Sequence, residues 1–234
     1  MSILNSWWRA LAGVLFPPRC VVCDEPLEGE AEQLLCERCL RREPHVEFAG
    51  SPEIDRFKAR YGVERVSAAM LYNRGGGWYR PIAGFKYHGR RGWARWFGAW
   101  LGAALKQQGG YDDLDCVIPV PLHPVRQLWR GYNQSRYLAE GIAEALGVPV
   151  EAGALVRDRY TSSQTRKRQQ ERAGNVAHAF RVTTPERLSG LHVLLVDDVM
   201  TTGSTLGACC DALRETVPDV RISVAVLAAS PRLV

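Results

Sequence analysis

The run from His192 to Leu206, His-Val-Leu-Leu-Val-Asp-Asp-Val-Met-Thr-Thr-Gly-Ser-Thr-Leu, constrains this chain more than any other stretch. Val193 to Val196 is unbroken valine and leucine, the pattern of a strand buried on both faces and so of a parallel sheet. Asp197 and Asp198 are expected to end that strand, followed by a hydroxyl-rich turn of Thr201, Thr202, Gly203, Ser204 and Thr205. A helix should then carry Leu206, Cys210, Leu213 and Val217 on one face, with Pro218 as its stop. Amides at a helix start are unpaired and carry the positive end of the dipole, which suits a phosphate. Gly203 permits close backbone approach, and the hydroxyls add donors. Carboxylates repel a phosphate, so the acid pair fits sugar hydroxyls, with room for a divalent cation beside them. The ligand implied is a ribose 5-phosphate held at both ends. No G-x-x-x-x-G-K-[ST] occurs, which argues against a P-loop NTPase; an ordinary strand–turn–helix is the bland alternative.

Cys20-Val-Val-Cys23 and Cys36-Glu-Arg-Cys39 form two C-x-x-C knuckles. Four thiolates so spaced can surround one Zn²⁺, whose binding would supply the folding energy that a polar stretch around Pro26 and Gly29 lacks. A redox dithiol or disulfides are the competing explanations. With four cysteine ligands the site would be closed, hence structural.

The sequence of 234 residues can bury one α/β core plus a small appendage, and 46% hydrophobic against 24% charged residues is a globular balance. Met1 to Pro18, with Trp7, Trp8, Leu11 and Phe16, is amphipathic and lacks a signal-peptide pattern, so the protein is expected in the cytoplasm without stable membrane insertion. The division expected is 1–45 for the amphipathic segment and cysteine module, 46–60 for a polar, proline-punctuated linker, and 61–234 for the main domain.

Within that domain Arg65–Tyr72 reads as a strand, and Trp78–Tyr87 and Trp93–Lys106 as helices. The stripe Trp93, Trp96, Phe97, Trp100 has helical spacing and reads as core. Phe85-Lys86-Tyr87-His88-Gly89-Arg90-Arg91 suits either a polyphosphate or an exposed helix end, with Lys86 favoured as a ligand contact. Cys116 to His123 is a strand whose prolines stiffen its exit; Arg126 and Arg130 follow, then a helix closed by Gly147. The polar run from Arg157 to Asn175 reads as a lid or a solvated helix face. Ala177–Val182 and Val220–Ala228 complete the strands, and strands alternating with helices place the ligand at their carboxyl ends. His88 and His123 are weak candidates for a base.

Val193 to Thr205 resembles the ribose-phosphate motif of type I phosphoribosyltransferases. Nearly end to end, the chain is similar to the ComF (GntX) family of bacterial phosphoribosyltransferase-like proteins. That similarity rests on Phe16-Pro-Pro-Arg-Cys20, Pro119-Val-Pro-Leu-His-Pro124, Arg130-Gly-Tyr-Asn-Gln134, Gln164, Arg172, Asn175, Ala179-Phe180 and Asp197 to Thr205. Lys167 departs from the family's pattern, where an apolar residue is expected. The resemblance implies an α/β fold: a type I phosphoribosyltransferase-like parallel sheet flanked by helices, with a small N-terminal zinc module. It implies 5-phosphoribosyl 1-pyrophosphate bound with Mg²⁺ and transfer to a nitrogenous acceptor. Asp197 and Asp198 would be catalytic and Thr201, Thr202, Gly203, Ser204 and Thr205 would hold the 5-phosphate. Pro121, Leu122, Lys86, Arg126, Arg130, Arg159 and Arg172 would complete the substrate contacts. It also implies a link to DNA uptake or utilisation, with single-stranded DNA or the uptake machinery as partner. A non-catalytic sensor of the same ligand, or a single-stranded-DNA-handling accessory, is the alternative.

Overall fold

The computed structural model describes residues 18–27, 33–41, 51–72, 75–157 and 179–233. Four parallel strands form the central sheet: β1 (Val63–Leu71), β2 (Cys116–Pro119), β5 (His192–Met200) and β6 (Arg221–Ala229), in the order β1-β6-β5-β2. β5 and β6 are central and buried along nearly their whole length, which is why their sequences are apolar runs rather than alternations. β3 (Leu155–Arg157) and β4 (Phe180–Val182) form a separate antiparallel ribbon; β4 falls within the strand expected at 177–182, whereas β3 and the pairing are not revealed by the sequence pattern.

One face of the sheet is covered by α2 (Pro52–Tyr61), α7 (Ser204–Thr216) and the β3–β4 ribbon, which pack Ile54, Phe57, Leu155, Phe180, Leu206 and Leu213 against Val193, Leu195 and Val224. α2 corrects the reading of residues 46–60 as linker. Ser51 accepts a hydrogen bond from the Ile54 amide at 3.3 Å, Pro52 sits in the first turn, and Ile54 and Phe57 are buried. A boundary between the cysteine module and a main domain that includes this helix is a proposal.

The other face is covered by α4 (Arg91–Gln108) and α6 (Gln134–Leu146), with α3 (Tyr79–Tyr87) beside them. α4 and α6 touch backbone to backbone: a Cβ added at Gly141 would lie 2.1 Å from the Arg95 carbonyl, and one at Gly98 2.2 Å from that of Leu138. Trp96 and Trp100 stack on this face and Phe97 is fully buried, so the aromatic stripe is core. The cysteine knuckles, including the short helix α1 (Glu37–Leu40), join the same side. Val22, Leu27 and Leu35 belong to the apolar cluster that holds Ile82 and Phe85, and Asp24 lies 3.4 Å from Arg80. No helix among the described residues is long and apolar enough to cross a membrane.

Candidate phosphoribosyl site

The acid pair lies inside β5 and does not end it. Val199 and Met200 continue the ladder, paired with Ala228 and Ala229 of β6, so the strand carries Asp197 and Asp198 to the carboxyl edge of the sheet on a rigid element. Successive strand residues face opposite ways, and the two carboxylates accordingly have different partners. Asp197 Oδ1 accepts from Ser135 Oγ at 2.9 Å and from the Asp198 amide at 2.8 Å. Asp198, 5% exposed, meets Lys86 Nζ at 2.8 Å through Oδ1, while its Oδ2 is buried without a hydrogen-bond partner. Burial, then the charge of Asp198, pushes the Asp197 carboxyl up to about 7.

The turn after β5 closes at Gly203, whose φ of 75° lies in the left-handed region; a Cβ there would strike Met200 and Phe57 at 2.8 Å. α7 begins at Ser204 with no side-chain cap on its first turn. The Ser204 amide donates to Thr202 Oγ1 at 3.4 Å, and the amides that follow it in the first turn suit an external acceptor. Thr202 Oγ1 and Ser204 Oγ lie 2.8 Å apart and exposed beside them.

Across from the turn, β2 exits through Val120, Pro121 and Leu122 into α5 (Pro124–Arg130), a helix the sequence reading does not anticipate. His123 caps it, its Nδ1 accepting from the Val125 amide at 3.2 Å, which is a structural role. α5 buries none of its residues: Val125, Leu128 and Trp129 face solvent, the last 90% exposed. Asn133 joins the exit to α6, its Nδ2 donating to the Val120 carbonyl at 3.0 Å while its Oδ1 accepts from the Ser135 amide. Arg130 donates to Gln134 and lies over the Tyr87 ring.

These groups line one cleft of about 290 Å³. Of the residues expected from sequence, it brings together Asp197, Asp198, Thr201, Thr205, Lys86, Pro121, Leu122, Arg126 and Arg130. Thr202, Gly203 and Ser204 form the turn between Thr201 and Thr205 but do not line it. Arg159 and Arg172 lie outside the described residues, as does the expected lid. The cleft also recruits Gln134, the last residue of the Arg130–Gln134 motif, and Arg157, the first of the expected lid, together with Tyr72 and Ser135, which sequence reasoning did not single out. Burial and the nearby Arg126 charge hold Arg157 below the usual guanidinium range. Ser135 left a signal in its place in the first turn of a helix that follows an Asn cap.

The four sulfurs of Cys20, Cys23, Cys36 and Cys39 lie within 4.8 Å of one another, Cys23 and Cys36 at 3.5 Å. Tetrahedral zinc with Zn–S bonds of about 2.3 Å requires S···S separations of about 3.8 Å, and a disulfide about 2.05 Å. The thiols are free, which matches a structural Zn²⁺ site and not a disulfide.

The phosphoribosyl transferase domain family matches residues 133–233 and the double zinc ribbon domain family residues 11–48. The DNA utilization protein YhgH of Salmonella typhi is 37% identical over 99 residues, covering 42% of this chain and 43% of that protein. Competence protein F of Haemophilus influenzae is 35% identical over 102 residues (43% and 44%), and competence protein ComFC of Streptococcus pneumoniae 32% over 122 residues (51% and 49%). The chain thus spans about half the length, or less, of the curated relatives it matches. Among solved structures, a glutamine phosphoribosylpyrophosphate amidotransferase from B. subtilis aligns with TM-score 0.41 at 24% identity, covering 61% of this chain and 30% of that one. Fold and cysteine cluster together define a type I phosphoribosyltransferase-like protein carrying a zinc module at its N-terminal side. The chain is thus similar to the competence and DNA utilization proteins named above.

Proposed function

We propose that the cleft binds 5-phosphoribosyl 1-pyrophosphate with Mg²⁺ and transfers the phosphoribosyl group to a nitrogenous acceptor. One observation carries this: paired acids, an uncapped helix start and the cations Lys86, Arg126, Arg130 and Arg157 converge on one space at the carboxyl edge of the sheet. The 5-phosphate is assigned to the amides and hydroxyls of Thr201 to Thr205, and the ribose hydroxyls to Asp197 and Asp198. Pyrophosphate is assigned to the Pro121–Leu122 exit with Arg126 and Arg130.

The unpartnered Asp198 Oδ2 is a hard oxygen suited to Mg²⁺ or to a ribose hydroxyl. When bound, the cation supplies neutralisation of the pyrophosphate charge. In the transfer, a bond forms from the acceptor nitrogen to C1 as the C1–O bond breaks. Pyrophosphate leaves with the electron pair, and the acceptor's N–H proton passes to solvent. Carboxylates beneath the sugar stabilise the positive charge that develops on it, and the cations stabilise the leaving group. A sugar hydroxyl that reaches Asp198 competes with Lys86, which is thereby released toward the pyrophosphate.

The test is pyrophosphate release from the zinc-loaded protein with Mg²⁺, labelled phosphoribosyl pyrophosphate and a panel of nucleobases. Release that disappears in Asp197→Asn/Asp198→Asn is expected; binding without turnover across the panel identifies a sensor instead. A second assignment, single-stranded DNA handling, is favoured by Tyr87 and Trp129, 68% and 90% exposed beside Arg126 and Arg130. Exposed rings next to cations stack bases and neutralise phosphates, and the names of the competence and DNA-utilisation relatives agree with that role. Oligonucleotide affinity that falls steeply with salt and with Trp129→Ala supports it. We assign the protein to the cytoplasm, where its free buried thiols Cys116, Cys209 and Cys210 stay reduced.

A further inference from the structure

The cysteine knuckle touches the entry of α3, and the cleft takes a side chain from the other end of the same helix. At the entry the contact is with backbone. A Cβ placed on Gly77 would lie 2.6 Å from the Val22 carbonyl oxygen and 3.0 Å from Val22 Cγ1, so only glycine fits between knuckle and helix. The Gly77 carbonyl accepts from the Arg80 amide at 3.1 Å, so the residue on which Val22 rests also closes the first turn of α3. Val22 lies between Cys20 and Cys23, two of the four clustered cysteines, which fix where its carbonyl sits. Asp24 meets Arg80 at 3.4 Å, but both side chains are more than half exposed and the pair adds little.

At the far end, Lys86 reaches Asp198 at 2.8 Å and lines the cleft. This half of α3 has its own supports. The Tyr132 hydroxyl donates to the Phe85 carbonyl, Trp93 packs on Gly84, and Phe85 is fully buried. The entry relies on the knuckle and on Trp78, whose ring stacks on Trp100 at 5.9 Å. A nine-residue helix is about 13 Å long and moves as one body, so a shift at its entry reaches Lys86. The knuckle is the conditional support. Apart from cysteines, the apolar groups it buries among the described residues are Val22, Leu27 and Leu35, too few to hold a fold without metal.

We infer that the zinc-loaded knuckle is a positioning device for Lys86: Val22 seats Gly77, Gly77 places α3, and α3 aims Lys86 at Asp198 and the sugar-phosphate. The inference rests on the phosphoribosyl pyrophosphate binding proposed above and adds to it a regulation, by zinc occupancy. Two ligands that favour one arrangement of a shared element raise each other's affinity by the same factor. Such factors run from about five to about 150. The low end, about fivefold, applies here because Tyr132, Trp93 and Trp78 keep part of α3 in place without zinc.

The experiment uses the full-length protein. Zinc affinity of the wild type is measured by competition with a zinc-selective chelator, with Mg²⁺ throughout, in the presence and absence of phosphoribosyl pyrophosphate. It is expected to rise about fivefold with the sugar-phosphate bound. Gly77→Ala pushes a methyl group against the Val22 carbonyl and touches no cysteine. Zinc should stay at one ion per chain, and phosphoribosyl pyrophosphate affinity, by calorimetry, should fall about fivefold. In a Lys86→Met background the same substitution should change that affinity by less than about twofold, because the side chain it acts through is gone. A merely structural role would weaken binding equally in both backgrounds. If Gly77→Ala does not fold, the zinc linkage in the wild type decides alone. Zinc affinity indifferent to phosphoribosyl pyrophosphate, or equal losses in the two backgrounds, overturns the positioning role and leaves the sugar site standing. If phosphoribosyl pyrophosphate fails to bind the zinc-loaded wild type, the binding proposal falls and this inference with it.

Discussion

Replacing Lys86 with methionine tests the electrostatics of the cleft. The Lys86–Asp198 pair is 2.8 Å long, and the two side chains are 19% and 6% exposed, so solvent screens it little. Methionine keeps most of the aliphatic stem and removes the charge, leaving Asp198 buried beside Asp197 with no cation in contact. Removing one partner of a buried pair costs about 3–5 kcal/mol, and the lower end applies here because Lys86 is partly open to water. The loss should depend on pH. Asp197 has a folded-state value raised above its ordinary one, so its contribution favours the fold at low pH and is lost as pH rises from about 4 through about 7. Without Lys86 the pair holds a proton more tightly, so the variant should regain stability as pH falls from 8 to 5. Urea unfolding followed by tryptophan fluorescence at both pH values measures this. Asp198→Asn in the Lys86→Met background should recover most of the loss at pH 8, because an amide carries no charge to strand. A loss below about 1 kcal/mol at pH 8, or no recovery in the double variant, would refute the assigned coupling.

Cys36→Ser should lower zinc from one ion per chain and destabilise the knuckle, measured by elemental analysis and chelator-dependent melting; unchanged metal content would contradict the four-sulfur site. Ser135→Ala removes the hydroxyl donor to Asp197, raising that carboxyl further, so phosphoribosyl pyrophosphate affinity at pH 7 should drop about five- to tenfold, with the pH profile displaced upward. Gly141→Val places side-chain carbon against the Arg95 carbonyl, where even Cβ would sit at 2.1 Å, and should cost about 2 kcal/mol or more in urea unfolding through separation of α4 and α6.

The parts of the fold written locally were legible. Val193–Val196 could only be a doubly buried strand, Gly203 marks the turn that needs a positive φ, and Gly147 stops α6 in the left-handed region. The elements that escaped had contradictory local signals or almost none. α2 was hidden by Pro52 and its charges, although Ser51-Pro52 followed by Ile54, Phe57 and Tyr61 is a capped helix with an apolar face. α5 has no buried stripe to detect, because its apolar residues point to solvent. β3 is three residues long, too short for periodicity. The acid pair was visible as a pair, but its different partners were not. Ser135 and Lys86 reach it only through packing of α6 and α3 at the sheet edge.

The most direct measurement is a calorimetric titration of phosphoribosyl pyrophosphate with Mg²⁺ into the zinc-loaded protein, in wild type and in Asp197→Asn/Asp198→Asn. One site per chain is expected, tighter at pH 8 than at pH 6 because a carboxylate accepts the ribose hydroxyls better when ionised, and weakened at least tenfold in the double variant. An absence of binding in the wild type, or equal affinity in the two proteins, would contradict the assignment of a sugar-phosphate to this cleft.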